Sequence, residues 1–267
     1  MRRIHILLVI ALISCSPQKR GIIVAGSTSV QPFIERVAEN FMQRYPDIKV
    51  DVQGGGSTAG IQATFNGTCN IGTSSRNLKP SEKDLKVTLI ALDGIAVIIH
   101  NTNPIDDLSI EAIRGIFAGR IRNWQEIGGR DENIIPVTRE EGSGTRGSFE
   151  EMAMGETAIS DACLVQDSNG AVREIIATTP QGIGYISVGL VDEREKTMAI
   201  DGVRPDLANL ISGKYRFTRP FLLLTTEEPC GDVKKFIDYV LSQEAQAILG
   251  KSGLIPVTEI RDNNDKR

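Results

Sequence analysis

Histidine is almost missing: the 267 residues hold two, His5 and His100. His5 lies in a segment expected to be removed, so His100 is the only imidazole expected in the mature chain. A Ser-His-Asp triad or a zinc site with several His ligands therefore has little material to draw on. A basic excess is also lacking. Lys and Arg total 30 against 34 Asp and Glu, a formal charge of -4, which excludes the electrostatic footprint of a nucleic-acid binder. No CxxC or Cys/His spacing suggests a metal. What is present is 40% hydrophobic residues, 24% charged residues and 26 Gly. That composition excludes disorder and collagen and supports a core in one domain or two modest ones.

The N-terminus reads Met1-Arg2-Arg3, then the apolar run Ile6 to Ile13, then Ser14-Cys15: a basic region, a short apolar region and a small residue at a cut site. The run is far below the ~20 residues that span a bilayer as a helix. Leu12-Ile13-Ser14-Cys15 resembles the bacterial lipobox, which implies a signal peptide over 1–14, lipidation of Cys15 and a tether over 15–20. A buried N-terminal strand is the alternative, and it fits Arg2-Arg3 and the polar stretch Ser16 to Arg20 less well. Removing Arg2 and Arg3 leaves 28 basic against 34 acidic side chains, a charge of -6.

Strand and helix signals alternate from Ile22 onward. Ile22 to Ala25 reads as a strand. Val30, Phe33, Ile34, Val37, Ala38, Phe41 and Met42 follow at helical spacing, and Ile48 to Val52 reads as a second strand. The pattern recurs at Ile134 to Thr138 with Gly147 to Met154, and the chain ends in a helical pattern over Val233 to Leu249. The class is α/β, with a mostly parallel sheet expected. Leu89 to Ile99 and Phe221 to Leu224 are continuous apolar stretches. Each fits a simple buried strand. Together they suit two crossovers between lobes, making 21–97 plus 219–267 one lobe and 98–218 the other.

Three Gly/Ser/Thr turns each open a helix: Gly26 to Ser29, Gly54 to Gly60, and Arg139 to Arg146. The second lacks the Lys of a P-loop, and Gly142-Ser143-Gly144 is not a nucleophile elbow. One such turn is ordinarily a helix cap. Three of them in one α/β chain, with arginines at the third, describe hydroxyls, amides and a guanidinium converging on a small tetrahedral oxyanion.

These turns, with Leu108 to Trp124 and Gly182-Ile183-Gly184-Tyr185, resemble the phosphate-binding subunit (PstS type) of phosphate ABC importers, over nearly all of the chain from Gly21. The resemblance implies a two-lobe, type II periplasmic-binding-protein fold with a ligand cleft, exported and lipid-anchored through Cys15. It implies a monomer, with inorganic phosphate and ABC permease subunits as partners, and neither a cofactor nor catalysis. Carried over by position, the phosphate contacts fall on Thr28, Ser29, Ser57, Arg139, Ser143, Gly144 and Thr145, and Glu141 falls on the acid that orients the arginine. Trp124 reads as packing.

Where many family members carry a proton-accepting aspartate this chain has Ser75, followed by Arg76, and Asp93 fits the place of an acid in the next strand. A lone carboxylate in a buried strand needs a partner. Arg76, a backbone amide and the P–OH of hydrogen phosphate are all open at this point, and Arg76 either meets the anion or neutralises Asp93. With the lobes so divided, Cys69 and Cys230 share one lobe, so a Cys69–Cys230 disulfide is expected with Cys163 left over. Three rival readings remain: a binder of sulfate, molybdate or tungstate, a secreted phosphohydrolase, and a purely structural surface lipoprotein.

Overall fold

The computed structural model describes residues 20–264; the leader, Cys15 and all but the last residue of the expected tether lie outside them. Local periodicity sets the first unit. β1 (Arg20–Gly26) is followed by α1 (Gln31–Arg44) and then β2 (Ile48–Gly54), which lies parallel to β1. α1 buries Phe33, Ile34, Val37, Ala38 and Phe41, the stripe that its spacing dictates. Next come α2 (Ser57–Phe65), β3 (Ile71–Ser74), which pairs with the other side of β1, and the 15-residue β4 (Lys86–His100).

The chain continues through β5 (Asp107–Leu108), α3 (Ile110–Phe117), β6 (Ile135–Arg139) and α4 (Gly144–Phe149), which widens into a π turn over Glu150–Met154. β7 (Leu164–Gln166), α5 (Asn169–Thr178), β8 (Gly182–Ser187), β9 (Glu195–Thr197), β10 (Ala199–Ile200) and α6 (Leu207–Ile211) lead to β11 (Thr218–Thr225). The last elements are α7 (Gly231–Val240), α8 (Gln243–Lys251), β12 (Ile255–Pro256) and α9 (Val257–Asn264). The expected single helix over 233–249 is therefore two, because Ser242 accepts from Ala245 N and caps a new start.

The strand order is β2-β1-β3-β11-β4-β8-β6-β7. The flanks are parallel, as expected, but the middle is not: β4 runs antiparallel to both β11 and β8. β11 carries the chain back after residues 101–217, so it must run against β4 and makes the sheet mixed. The apolar side chains sort accordingly. One cluster draws on residues 22–91 and 221–254, and a second on 95–217 with Ile255, so β4 feeds both. Trp124 is buried in the second cluster and donates its indole N–H to Gln181 O at 3.0 Å, a packing role.

The expected Cys69–Cys230 disulfide is not formed. All three described cysteines are free; Cys69 is buried with its Sγ 3.6 Å from Thr64 Oγ1, whereas Cys230 is exposed at the start of α7. Among the described residues no helix is long and apolar enough to cross a membrane.

Candidate functional site

The three turns meet. Ser29 Oγ lies 2.7 Å from Thr145 Oγ1 and accepts from Asn169 Nδ2 at 2.8 Å, which joins the start of α1 to the starts of α4 and α5. Ser57 Oγ at the start of α2 accepts from Ser75 N at 3.1 Å and stands 3.4 Å from Ser75 Oγ. The opposing walls touch: Thr58 N donates to Gly142 O at 3.1 Å, and Ser148 Oγ donates to Ser75 O at 3.3 Å. Ser29, Ser57, Ser75, Ser143, Thr145 and Arg139 are all buried, and Thr28 is half-buried.

Two glycines permit this approach. Gly56, before α2, has φ 90°, and a Cβ on it would press on Gly142 O at 3.0 Å. A Cβ on Gly144 would come within 2.5 Å of Ser75 Oγ and closer still to Ser57 Oγ. The three helix starts are not equivalent as donors. At α1 the amides of Ser29, Val30 and Gln31 are already used, with Val30 N and Gln31 N on Ser27 O and Ser29 N on Ser27 Oγ. At α4, Ser143 Oγ caps Arg146 N, while the first-turn amides of Gly144 and Thr145 have no intrahelical carbonyl to meet.

Arg139 ends β6 and is fully buried. Its Nε and Nη2 hold the Glu140 carboxylate, both at 3.0 Å, and Nη2 also donates to Thr28 Oγ1 at 3.0 Å and Asp167 O at 2.9 Å. Nη1 is buried with no partner. Burial pulls the guanidinium below its ordinary pKa and pushes Glu140 above the carboxylate range, while each partner opposes the other's shift. A buried, directed and unused N–H beside hydroxyls and open helix amides is chemically a socket for an anion.

Residues 15–244 match the family model of the PBP superfamily domain. The chain is 34% identical to the phosphate-binding protein PstS of Bacillus subtilis over 253 residues, covering 91% of this chain and 84% of that protein. The chain belongs to the PstS family. A second PstS, from Borreliella burgdorferi, is 28% identical over 262 residues, 92% of this chain and 94% of its own length. Among solved structures, a phosphate ABC transporter substrate-binding protein from Clostridium perfringens, described with bound phosphate, superposes with a TM-score of 0.86 at 38% identity, covering 89% of this chain and 99% of that one. An ABC-type phosphate transport receptor from Vibrio cholerae gives 0.74 at 36% identity, with 88% and 99% covered. The fold is thus the α/β, two-lobe periplasmic-binding-protein fold.

Within that PstS-family frame three expected residues are placed differently. The acid on Arg139 is Glu140, not Glu141: Glu141 is exposed at the tip of the turn, whereas Glu140 folds back onto the guanidinium. Arg76 neither neutralises Asp93 nor joins the hydroxyl cluster. It makes a two-bond pair with Glu82 at 2.8 and 2.9 Å and also donates to Asn77 O and Thr58 Oγ1. Those bonds hold Glu82 below the ordinary carboxylate range. Asp93 is fully buried, but its partner is Arg219: Oδ2 accepts from Nε at 2.9 Å and Nη2 at 2.8 Å, and Oδ1 accepts from Ser187 Oγ at 2.8 Å.

Arg219, Glu140, Ser27, Asn169 and Ser187 were not singled out by sequence. A signal for Arg219 existed: an arginine next to Pro220 at the mouth of an apolar strand needs a counter-ion, and β11 pairs with β4 in the register Arg219 opposite Asp93. Tyr185 lies behind the site, its hydroxyl 2.6 Å from Thr138 Oγ1.

Proposed function

We propose that this chain is an extracytoplasmic solute-binding protein that captures inorganic phosphate and delivers it to the permease of an ABC importer. The observation that carries this reading is the unpartnered, buried Nη1 of Arg139 beside the Thr28 hydroxyl, on a wall that also holds Ser143, Gly144 and Thr145. Ser29 and Ser57 close the space from the opposite wall, with Ser75 beside Ser57. The names of the B. subtilis and B. burgdorferi relatives and the phosphate bound in the C. perfringens structure agree with it. Micromolar capture corresponds to about -8 kcal/mol, within reach of several charge-assisted hydrogen bonds in a dry cleft.

The lobes are 21–97 with 219–267, and 98–218, and they close by bending where β4 and β11 cross between them, a split that the two apolar clusters support. The chain acts as a monomer, exported and held at the membrane by lipid on Cys15. It performs no catalysis, a reading supported by its likeness to phosphate-binding proteins of transporters. Isothermal titration of the native protein with phosphate and sulfate, together with phosphorus analysis of the protein as purified, tests the reading. Phosphate binding in the micromolar range or tighter is expected. No phosphate binding, or tighter sulfate binding, would overturn it.

A further inference from the structure

Two buried arginines share one design. Arg139 holds Glu140 on its Nε/Nη2 edge, and Arg219 holds Asp93 on its Nε/Nη2 edge. In each, Nη1 is left on the opposite side. For Arg139 it has no partner; for Arg219 it donates to Ser75 Oγ at 3.4 Å. Asp93 is thus turned away from Ser75 and the hydroxyls beside it, whereas Glu140 shares the Nη2 of Arg139 with the Thr28 hydroxyl. Asp93 is already engaged: Arg219 gives Oδ2 two N–H groups and Ser187 gives Oδ1 a hydroxyl, which takes three of the roughly four lone-pair directions of a carboxylate.

The direction of the Ser75 hydroxyl follows by elimination. Ser27 Oγ accepts from Ser29 N at 3.2 Å and Val30 N at 3.4 Å, so its proton goes to Ser75 Oγ at 2.9 Å. Arg219 Nη1 donates to the same oxygen. A hydroxyl has two acceptor positions, and both are taken. Ser75 can only donate, toward Ser57 Oγ or a ligand held beside it.

We propose that the anion space is a cage of hydrogen-bond donors in which Ser75, locked as a donor by Ser27 and Arg219, sets specificity for tetrahedral oxyanions and the buried Asp93 accepts no proton from the ligand. The inference rests on the phosphate-capture reading and names its ligand class more closely. The proton of hydrogen phosphate then meets a hydroxyl lone pair, such as the one left on Ser57, and sulfate meets no buried acceptor to strand. Discrimination of about 10⁴ or more arises when a site's buried polar group is left unpaired by the wrong ligand, and that element is missing here.

The test is competition of sulfate against phosphate by titration calorimetry on the native protein and on Ser75→Asp, with thermal melting to confirm folding. Sulfate binding to the native protein weaker than phosphate, but by less than about 10³-fold, is expected, with the gap widening by about 10²-fold or more in Ser75→Asp. Phosphate binding with sulfate rejected beyond about 10³-fold in the native protein overturns the donor cage and leaves phosphate capture standing. If Ser75→Asp does not fold, the native ratio alone decides. Binding of neither anion overturns phosphate capture, and the cage with it.

Discussion

Gly144→Ala places one methyl group where the two walls of the cleft meet. Gly144 opens α4 with a negative φ, so the backbone accepts alanine without strain, and alanine favours a helix by up to about 1 kcal/mol. The cost appears only on closure. The new Cβ would lie within 2.5 Å of Ser75 Oγ and nearer still to Ser57 Oγ, against an ordinary contact of about 3.5 Å. Those atoms belong to the opposite wall, so the methyl group holds it back by about an ångström and takes both hydroxyls out of reach of the anion. A hydrogen bond to a charged group is worth about 1.5–3 kcal/mol, so two lost bonds weaken phosphate by about 3–6 kcal/mol, roughly 10²- to 10⁴-fold in Kd. Titration calorimetry reads this directly, and thermal melting gives an independent check. At a phosphate concentration 100 times the native Kd the native protein gains about 2.7 kcal/mol, whereas the variant gains about 0.4 kcal/mol or less. The unliganded Tm stays close to native because the empty cleft can open. A Kd within about threefold of native would refute the claim that Gly144 lines the closed anion site.

Arg139→Gln removes the unpartnered Nη1 and strips Glu140 of its counter-ion, so phosphate should weaken at least 10- to 150-fold, roughly the worth of one charged bond; an unchanged Kd by calorimetry would show that Nη1 is not a ligand. Asp93→Asn leaves Arg219 charged in a fully buried place, and a cost of about 3–5 kcal/mol is expected in urea unfolding, whereas an unchanged midpoint would count against the buried pair. Glu82→Gln tests a pH effect. Arg76 holds the Glu82 carboxyl below its ordinary value of 4.5, so the pair stabilises the fold above that pH and the contribution is lost as pH falls through the lower, folded-state pKa. The stability gap between native and Glu82→Gln should therefore shrink on acidification below pH 4.5, and a gap constant down to pH 3 would contradict it. Raising NaCl from about 0.05 to 0.5 M should change phosphate affinity less than about tenfold, because the charges at the site are buried and already paired; a steeper loss would point to long-range attraction instead.

What the sequence made legible was local. The apolar spacing of Phe33 to Phe41 placed α1, and the three Gly/Ser/Thr turns placed the starts of α1, α2 and α4 at the site. The assignments that failed depended on pairing across the fold. Asp93 was recognised as a buried carboxylate in need of a donor, but its donor is 126 residues away, brought opposite by the β4–β11 register. Arg76 looked available because Glu82 sits on a turn whose direction no periodicity reveals. Glu140 and Glu141 are adjacent and chemically alike, so which one reaches Arg139 is decided by how the chain leaves β6. The mixed sheet has the same origin: the strand signals in β4 and β11 were visible, but their relative direction was not.

The pairing of each arginine with its own carboxylate bears on how an acidic chain can hold an anion. The formal charge is -4, so the long-range field of the protein repels phosphate. The site does not answer with a surplus of positive charge, since Arg139 with Glu140 and Arg219 with Asp93 are each close to neutral as pairs. What remains is directional: one free Nη1, the open amides of α4 and hydroxyls whose protons are aimed by neighbours that fill their lone pairs. Such donors act over hydrogen-bond distances and need no reorganisation, so their strength depends on closing the cleft and excluding water rather than on attracting the ligand from afar. Because opening returns the anion to a repulsive field and to water, the same arrangement that binds tightly when closed favours release intact when open.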